Sequence, residues 1–241
     1  MENVTKRSGK FKVVLSAKEW QPKYLDVIAV AFVTTLLVSN LAAAKLFQLG
    51  PAIFTGGILV FPISYIFGDI LTEVYGYART RRVIYAGLLA NIFMVVILYV
   101  VILLPPAPGW NLQESFASVY ALIPRIVVGS IIAYWAGEFT NSFVLSKMKI
   151  WTNGRRLWSR TVSSTIAGQF VDTVLFVIIA FSGIFPSELL AAAIISGWIF
   201  KVVYEVVATP LTYLIVGKLK KAEGVEHFDK RDSYNPFKLR Q

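Results

Sequence analysis

The chain has 241 residues, is 56% hydrophobic and only 16% charged, with a mean hydropathy of +0.63; this is more apolar than a soluble domain of its length and leaves room for one membrane-embedded bundle and no second folded domain. It has no cysteine and one histidine, His227, which excludes disulfides, thiolate metal sites, cysteine nucleophiles and an imidazole relay within the membrane. No glycine-rich, lysine-bearing phosphate loop occurs, so the chain does not itself hydrolyse ATP, and its net charge of +10, confined to predicted loops, reads as a topological address and an anionic-lipid contact with no argument for nucleic acid.

Hydropathy predicts an all-α protein, a bundle of six transmembrane helices at Leu25–Leu49, Ile53–Tyr75, Val83–Leu104, Val119–Leu145, Thr161–Phe181 and Ser187–Val216. A basic segment, residues 1–24, precedes this 25–216 domain, and a polar tail, residues 217–241, follows it. All but three of the 24 Lys and Arg residues fall in the termini or in the loops around Arg79–Arg82 and Lys147–Arg160, and the alternate loops, around Pro51, Pro105–Ser118 and Gly183–Pro186, have none. The positive-inside rule therefore predicts cytoplasmic termini at both ends. Ala42-Ala43-Ala44 after the first apolar run resembles a signal-peptide cleavage site, but that run is too long for one and five further spans follow, so it reads as a retained helix.

Five carboxylates interrupt these spans, each costing about 2.5–3.5 kcal/mol in hydrocarbon unless it pairs, faces water or holds something. In the first span Ser39, Asn40 and Lys45 are the polar exceptions. In the second, Pro62 is expected to kink or interrupt the helix, Ser64, Gly68 and Thr72 form a small-residue face suited to close helix approach, and Asp69 and Glu73 stand one turn apart. Two carboxylates so placed repel, so one is protonated or neutralised; Glu73 has an alternative as an interfacial partner of Arg79 or Arg82, and Asp69, lying deeper, suits a functional or gating role. In the fourth span Gly129, Ala133 and Gly137 make a ladder continuing to Asn141, with Glu138 beside it; Arg125, near the outer end, is a charge partner or a snorkelling anchor.

The fifth span places Ser164, Gly168 and Asp172 on one stripe and Thr165, Gln169 and Thr173 on the next, with Asp172 near the midplane and Gln169 close enough to share a ligand. This is the strongest candidate site. In the sixth span Lys201, Tyr204 and Glu205 precede Thr209-Pro210, and Lys201 and Glu205, one turn apart, either neutralise each other or serve the site. Trp110, Trp151 and Trp158 sit at predicted interfaces, while Phe61, Tyr65, Phe67, Phe170, Phe176 and Tyr204 lie within the polar helices and either pack or stack on a planar solute. Carboxylates, amides and aromatics together suit a small polar organic solute with paired N–H donors, as a guanine-type edge offers.

The string Phe61–Tyr65 with Gly68–Gly76 resembles the signature of the queuosine-precursor transporter family, also called the vitamin uptake transporter family. Ser39-Asn40 with Ala44-Lys45, Gly137-Glu138-Phe139 with Asn141, Gly168–Thr173 and Lys201–Pro210 resemble it as well, in order, across residues 25–216. The resemblance implies import of 7-cyano- and 7-aminomethyl-7-deazaguanine across the cytoplasmic (inner) membrane by a stand-alone carrier without a dedicated ATPase; no cofactor is expected. It names no binding residue; by physics and motif position the expected substrate contacts are Asp172, Gln169, Asp69, Glu138, Glu205, Asn40, Tyr204 and Phe170, and the expected gating or charge-pairing residues are Glu73, Lys45, Lys201 and Arg125. Two other readings stay open: the membrane subunit of an ATPase-energised importer, and an intramembrane enzyme using Asp69 and Asp172 as a dyad. The small-residue ladders serve packing within the chain or a homodimer seam.

Overall fold

The computed structural model describes residues 7–8, 11–14, 21–151 and 157–227. It is predominantly helical, as a bilayer requires of a chain whose backbone polar groups must find partners within it. Strands β1 (Arg7–Ser8) and β2 (Phe11–Val14) lead to helix α1 (Leu25–Ala42), a hairpin of β3 (Leu46–Leu49) and β4 (Ala52–Thr55), a 3-10 turn (Gly56–Leu59), and α2 (Phe61–Ile70), which ends in a π turn (Leu71–Tyr75). Then come α3 (Tyr77–Leu103), α4 (Gln113–Tyr120), α5 (Ile123–Trp151), α6 (Leu157–Phe181), α7 (Ser187–Glu223) and β5 (Val225–His227).

Among the described residues five stretches are long and apolar enough to cross a membrane: Leu25–Ala42, Arg79–Leu103, Gln113–Asn141, Val162–Phe181 and Ser187–Glu223. The predicted second span is not one continuous helix. Its first residues form β4 and the 3-10 turn, and the helical remainder, Phe61 to Tyr75, rises roughly 22 Å, short of a hydrocarbon core of about 30 Å. Pro62 sits in the first turn of α2, where its missing N–H has no intrahelical partner to lose, so it starts the helix and does not kink it. The first span likewise stops at Ala42, which leaves Lys45 exposed in the turn before β3, its carbonyl accepting the Gly56 N–H at 2.7 Å. At the other end α7 continues past Val216 to Glu223 with Pro210 inside it, about 55 Å of helix.

The described residues form two compact units. The first takes Met1–Leu37, Phe61–Ala90 and Val207–Gln241. Its core is Phe32, Ile70, Leu71, Val74, Tyr75, Val83 and Val216, and β2 runs parallel to β5, pairing Lys12 with Val225 and Val14 with His227, with β1 antiparallel on its other side. Glu223, buried at the end of α7, accepts hydrogen bonds from the Lys23 and Tyr24 amides (3.0–3.1 Å) and from the Tyr75 hydroxyl (2.9 Å). One carboxylate thus satisfies the free amides at the start of α1 and fastens the π turn to α7.

The second unit takes Val38–Val60 and Asn91–Val206. Its core is Ala43, Ile123, Ile126, Val127, Val177, Ala180, Phe181 and Ala193. The α5–α6 contact is nearly backbone on backbone: a Cβ added at Gly137 would come 2.8 Å from the Asp172 Cβ and 3.0 Å from the Gly168 carbonyl oxygen, and one at Gly168 would come 2.8 Å from the Asn141 Cβ. The predicted ladder in α5 is therefore a packing seam within the chain. The corresponding face of α2 is not: Thr72 is exposed, and an added Cβ at Gly68 meets nothing within 4 Å. Large apolar side chains such as Phe93, Phe139 and Ile195 are exposed, the arrangement of helices that turn apolar faces to lipid.

Candidate functional site

The polar stripes of α6 meet the charged stripe of α7 in the second unit. Residues 165, 169 and 173 recur every four positions along one face of α6, and Thr165, Gln169 and Thr173 are all buried there. Facing them, Glu205 accepts hydrogen bonds from Thr165 Oγ1 at 3.1 Å and Gln169 Nε2 at 3.0 Å. One turn earlier on α7, Lys201 donates to Asp172 Oδ2 at 2.5 Å, both side chains being less than a tenth exposed. The result is a buried carboxylate–ammonium pair beside a half-buried carboxylate held by an amide and a hydroxyl. Two further atoms, Gln169 Oε1 and Thr173 Oγ1, are buried without a hydrogen-bond partner among the described residues.

This geometry corrects several expectations. One oxygen of Asp172 is engaged by Lys201, so the ion pair runs from α7 to α6, whereas the pairing with Glu205 that spacing offered as one alternative lies within α7. Glu205 is joined instead to Gln169 and Thr165 on α6. Arg125 Nη2 donates to the carbonyls of Ile179 (3.1 Å) and Ser182 (2.9 Å) and caps the end of α6. Glu73 is exposed and accepts from Lys220 at 3.3 Å, where Arg79 or Arg82 was expected. Asn40 is buried and donates through Nδ2 to Asn91 Oδ1 at 2.7 Å, a cross-helix amide pair with a partner that sequence reasoning missed.

Phe170 lies on the exposed side of α6 with its ring edge-on to Trp198 at 5.3 Å. Tyr204, half-buried, extends a chain of rings from the hairpin: Phe47 to Phe54 at 5.6 Å, Phe54 to Phe200 at 5.8 Å and Phe200 to Tyr204 at 6.1 Å. Phe47, Phe54 and Phe200 went unnoticed because the hairpin was read as helix. Asp69 is exposed on α2, in the first unit, whereas Asp172 belongs to the second. The side chain of Glu138 lies outside the described residues. Among the described residues no group of three or more His, Cys, Asp or Glu is placed to hold a metal ion.

Five apolar helices of membrane-crossing length among the described residues define a multi-pass membrane protein. The chain belongs to the family described as "Putative vitamin uptake transporter", whose profile matches residues 55–215. It is similar to a "Probable queuosine precursor transporter" of Bacillus subtilis (strain 168), at 27% identity over 73% of this chain and 77% of the relative. It is also similar to the "Queuosine precursor transporter" of Escherichia coli (strain K12), at 28% over 53% of this chain and 55% of that protein. A "Probable queuosine precursor transporter" of Haemophilus influenzae matches at 26% over 64% of this chain and 62% of its own length. No solved structure matches.

Proposed function

We propose that this chain imports queuosine precursors, 7-cyano- and 7-aminomethyl-7-deazaguanine, across the cytoplasmic membrane as a stand-alone secondary carrier. The family membership and the names of three relatives support the solute class. The observation that carries the site is the Thr165–Glu205–Gln169 array beside the Asp172–Lys201 pair. A carboxylate accepts the two parallel N–H bonds that a guanine-type edge donates, and the ring chain ending at Tyr204 offers a stacking face. Six crossings with both termini inside fit the basic residues and the parallel pairing of β2 with β5; residues 46–75 then supply the crossing that is not one helix.

Uptake of labelled precursor by cells unable to make it tests the proposal. Glu205→Gln and Gln169→Leu are expected to lower uptake about tenfold or more at equal membrane abundance, the loss of a charge-assisted hydrogen bond; normal uptake by both removes the site. Purified protein in liposomes carries the solute alone under this reading. Protein inert in liposomes and active only with an added ATPase would instead make it a subunit of an energised importer.

A further inference from the structure

The Gln169 amide is divided between two tasks. Its Nε2 faces the Glu205 carboxylate, the orientation an anionic acceptor demands of an amide, and so its oxygen, an acceptor with no donor among the described residues, lies on the amide's other edge. One turn further along the same stripe, Thr173 Oγ1 is also buried and without a hydrogen-bond partner among the described residues; the other branch of that side chain, its methyl, is the one that faces Gly197 on α7. Gln169 is 7% and Thr173 2% exposed, so neither oxygen is satisfied by bulk water. A buried acceptor left unpaired is costly, and a solute that supplies its donor recovers that cost on binding.

Resting on the solute class just proposed, we infer that Gln169 Oε1 and Thr173 Oγ1 form a second subsite that takes the pyrrole-type ring N–H of the free base, the position that carries the sugar in a nucleoside. Glu205 reads one edge of the heterocycle; the second subsite requires a donor on another. The site therefore selects bases over nucleosides through a hydrogen bond as well as through size. Solutes that lack this donor leave two buried oxygens unpaired, and sites of this kind reject such analogues strongly.

The test is a cycle of two solutes and three proteins in the full-length chain: 7-deazaguanine and its 9-methyl derivative, with wild type, Thr173→Val and Thr173→Ser. Wild type is expected to prefer the unmethylated base at least about tenfold in competition for uptake. Thr173→Val, which keeps the side-chain shape, is expected to lower uptake of the unmethylated base and to shrink that preference severalfold, and Thr173→Ser to restore it. A preference unchanged in Thr173→Val, or no preference in wild type, overturns the subsite and leaves the transport reading standing. If wild type takes up neither solute, labelled 7-aminomethyl-7-deazaguanine decides the transport reading, which fails if that is not taken up either. The subsite is then decided by whether guanine raises the Tm of the purified protein more than 9-methylguanine does, with equal shifts overturning it.

Discussion

Asp172 was legible as a candidate because a lone midplane carboxylate calls for a partner or a ligand. Its partner was not, since the i, i+4 rule pairs Lys201 with Glu205 whereas the fold pairs it with a residue 29 positions away. Buried pairs tolerate joint replacement far better than the loss of one member, which strands a charge at about 3–5 kcal/mol. Lys201→Met alone should therefore lower the Tm of the purified protein markedly, and Asp172→Asn with Lys201→Met should recover most of the loss. A double variant as unstable as the single one would show that the pair is not the source of the effect.

At the scale of the element, the ladder of α5 was readable from spacing alone, because residues four apart share a helix face and small ones mark where another helix comes close. The same pattern in α2 is not a seam within the chain, since an added Cβ at Gly68 meets nothing within 4 Å; spacing marks a face without saying whether anything covers it. The contrast is testable. Gly137→Val forces atoms apart where 2.8–3.0 Å is already spoken for, and should cost on the order of 1–3 kcal/mol in unfolding or abolish monodisperse protein; Gly68→Ala should be neutral or slightly stabilising. The second span was misread because a hydropathy window averages over Gly56-Gly57-Ile58 and Pro62. Those residues end one backbone conformation and begin another: at Gly57 an added Cβ would meet the Ser39 carbonyl oxygen at 2.7 Å.

Across the whole molecule, the proposed orientation rests on where the Lys and Arg residues fall, a signal that survives local misreading because it counts charges per loop. The absence of native cysteine makes it directly measurable. Trp110→Cys should react with an impermeant maleimide on intact cells, and Lys221→Cys only after permeabilisation; the reverse pattern would invert the topology. The Glu223 clamp was invisible for the opposite reason. It joins positions about two hundred residues apart, and its carboxylate stood in what read as a solvated tail.

The ladder between β2 and β5 has a mechanical implication. Because the earliest and latest described segments are laced together by backbone hydrogen bonds, the polypeptide behaves as a closed loop with a single seam. Under the proposed transport cycle, a rearrangement that exposes the polar cluster first to one side and then to the other while this ladder holds keeps β2 and β5 together. It must be accommodated along the interior of the chain, at non-helical joints such as the hairpin, the 3-10 turn and the π turn.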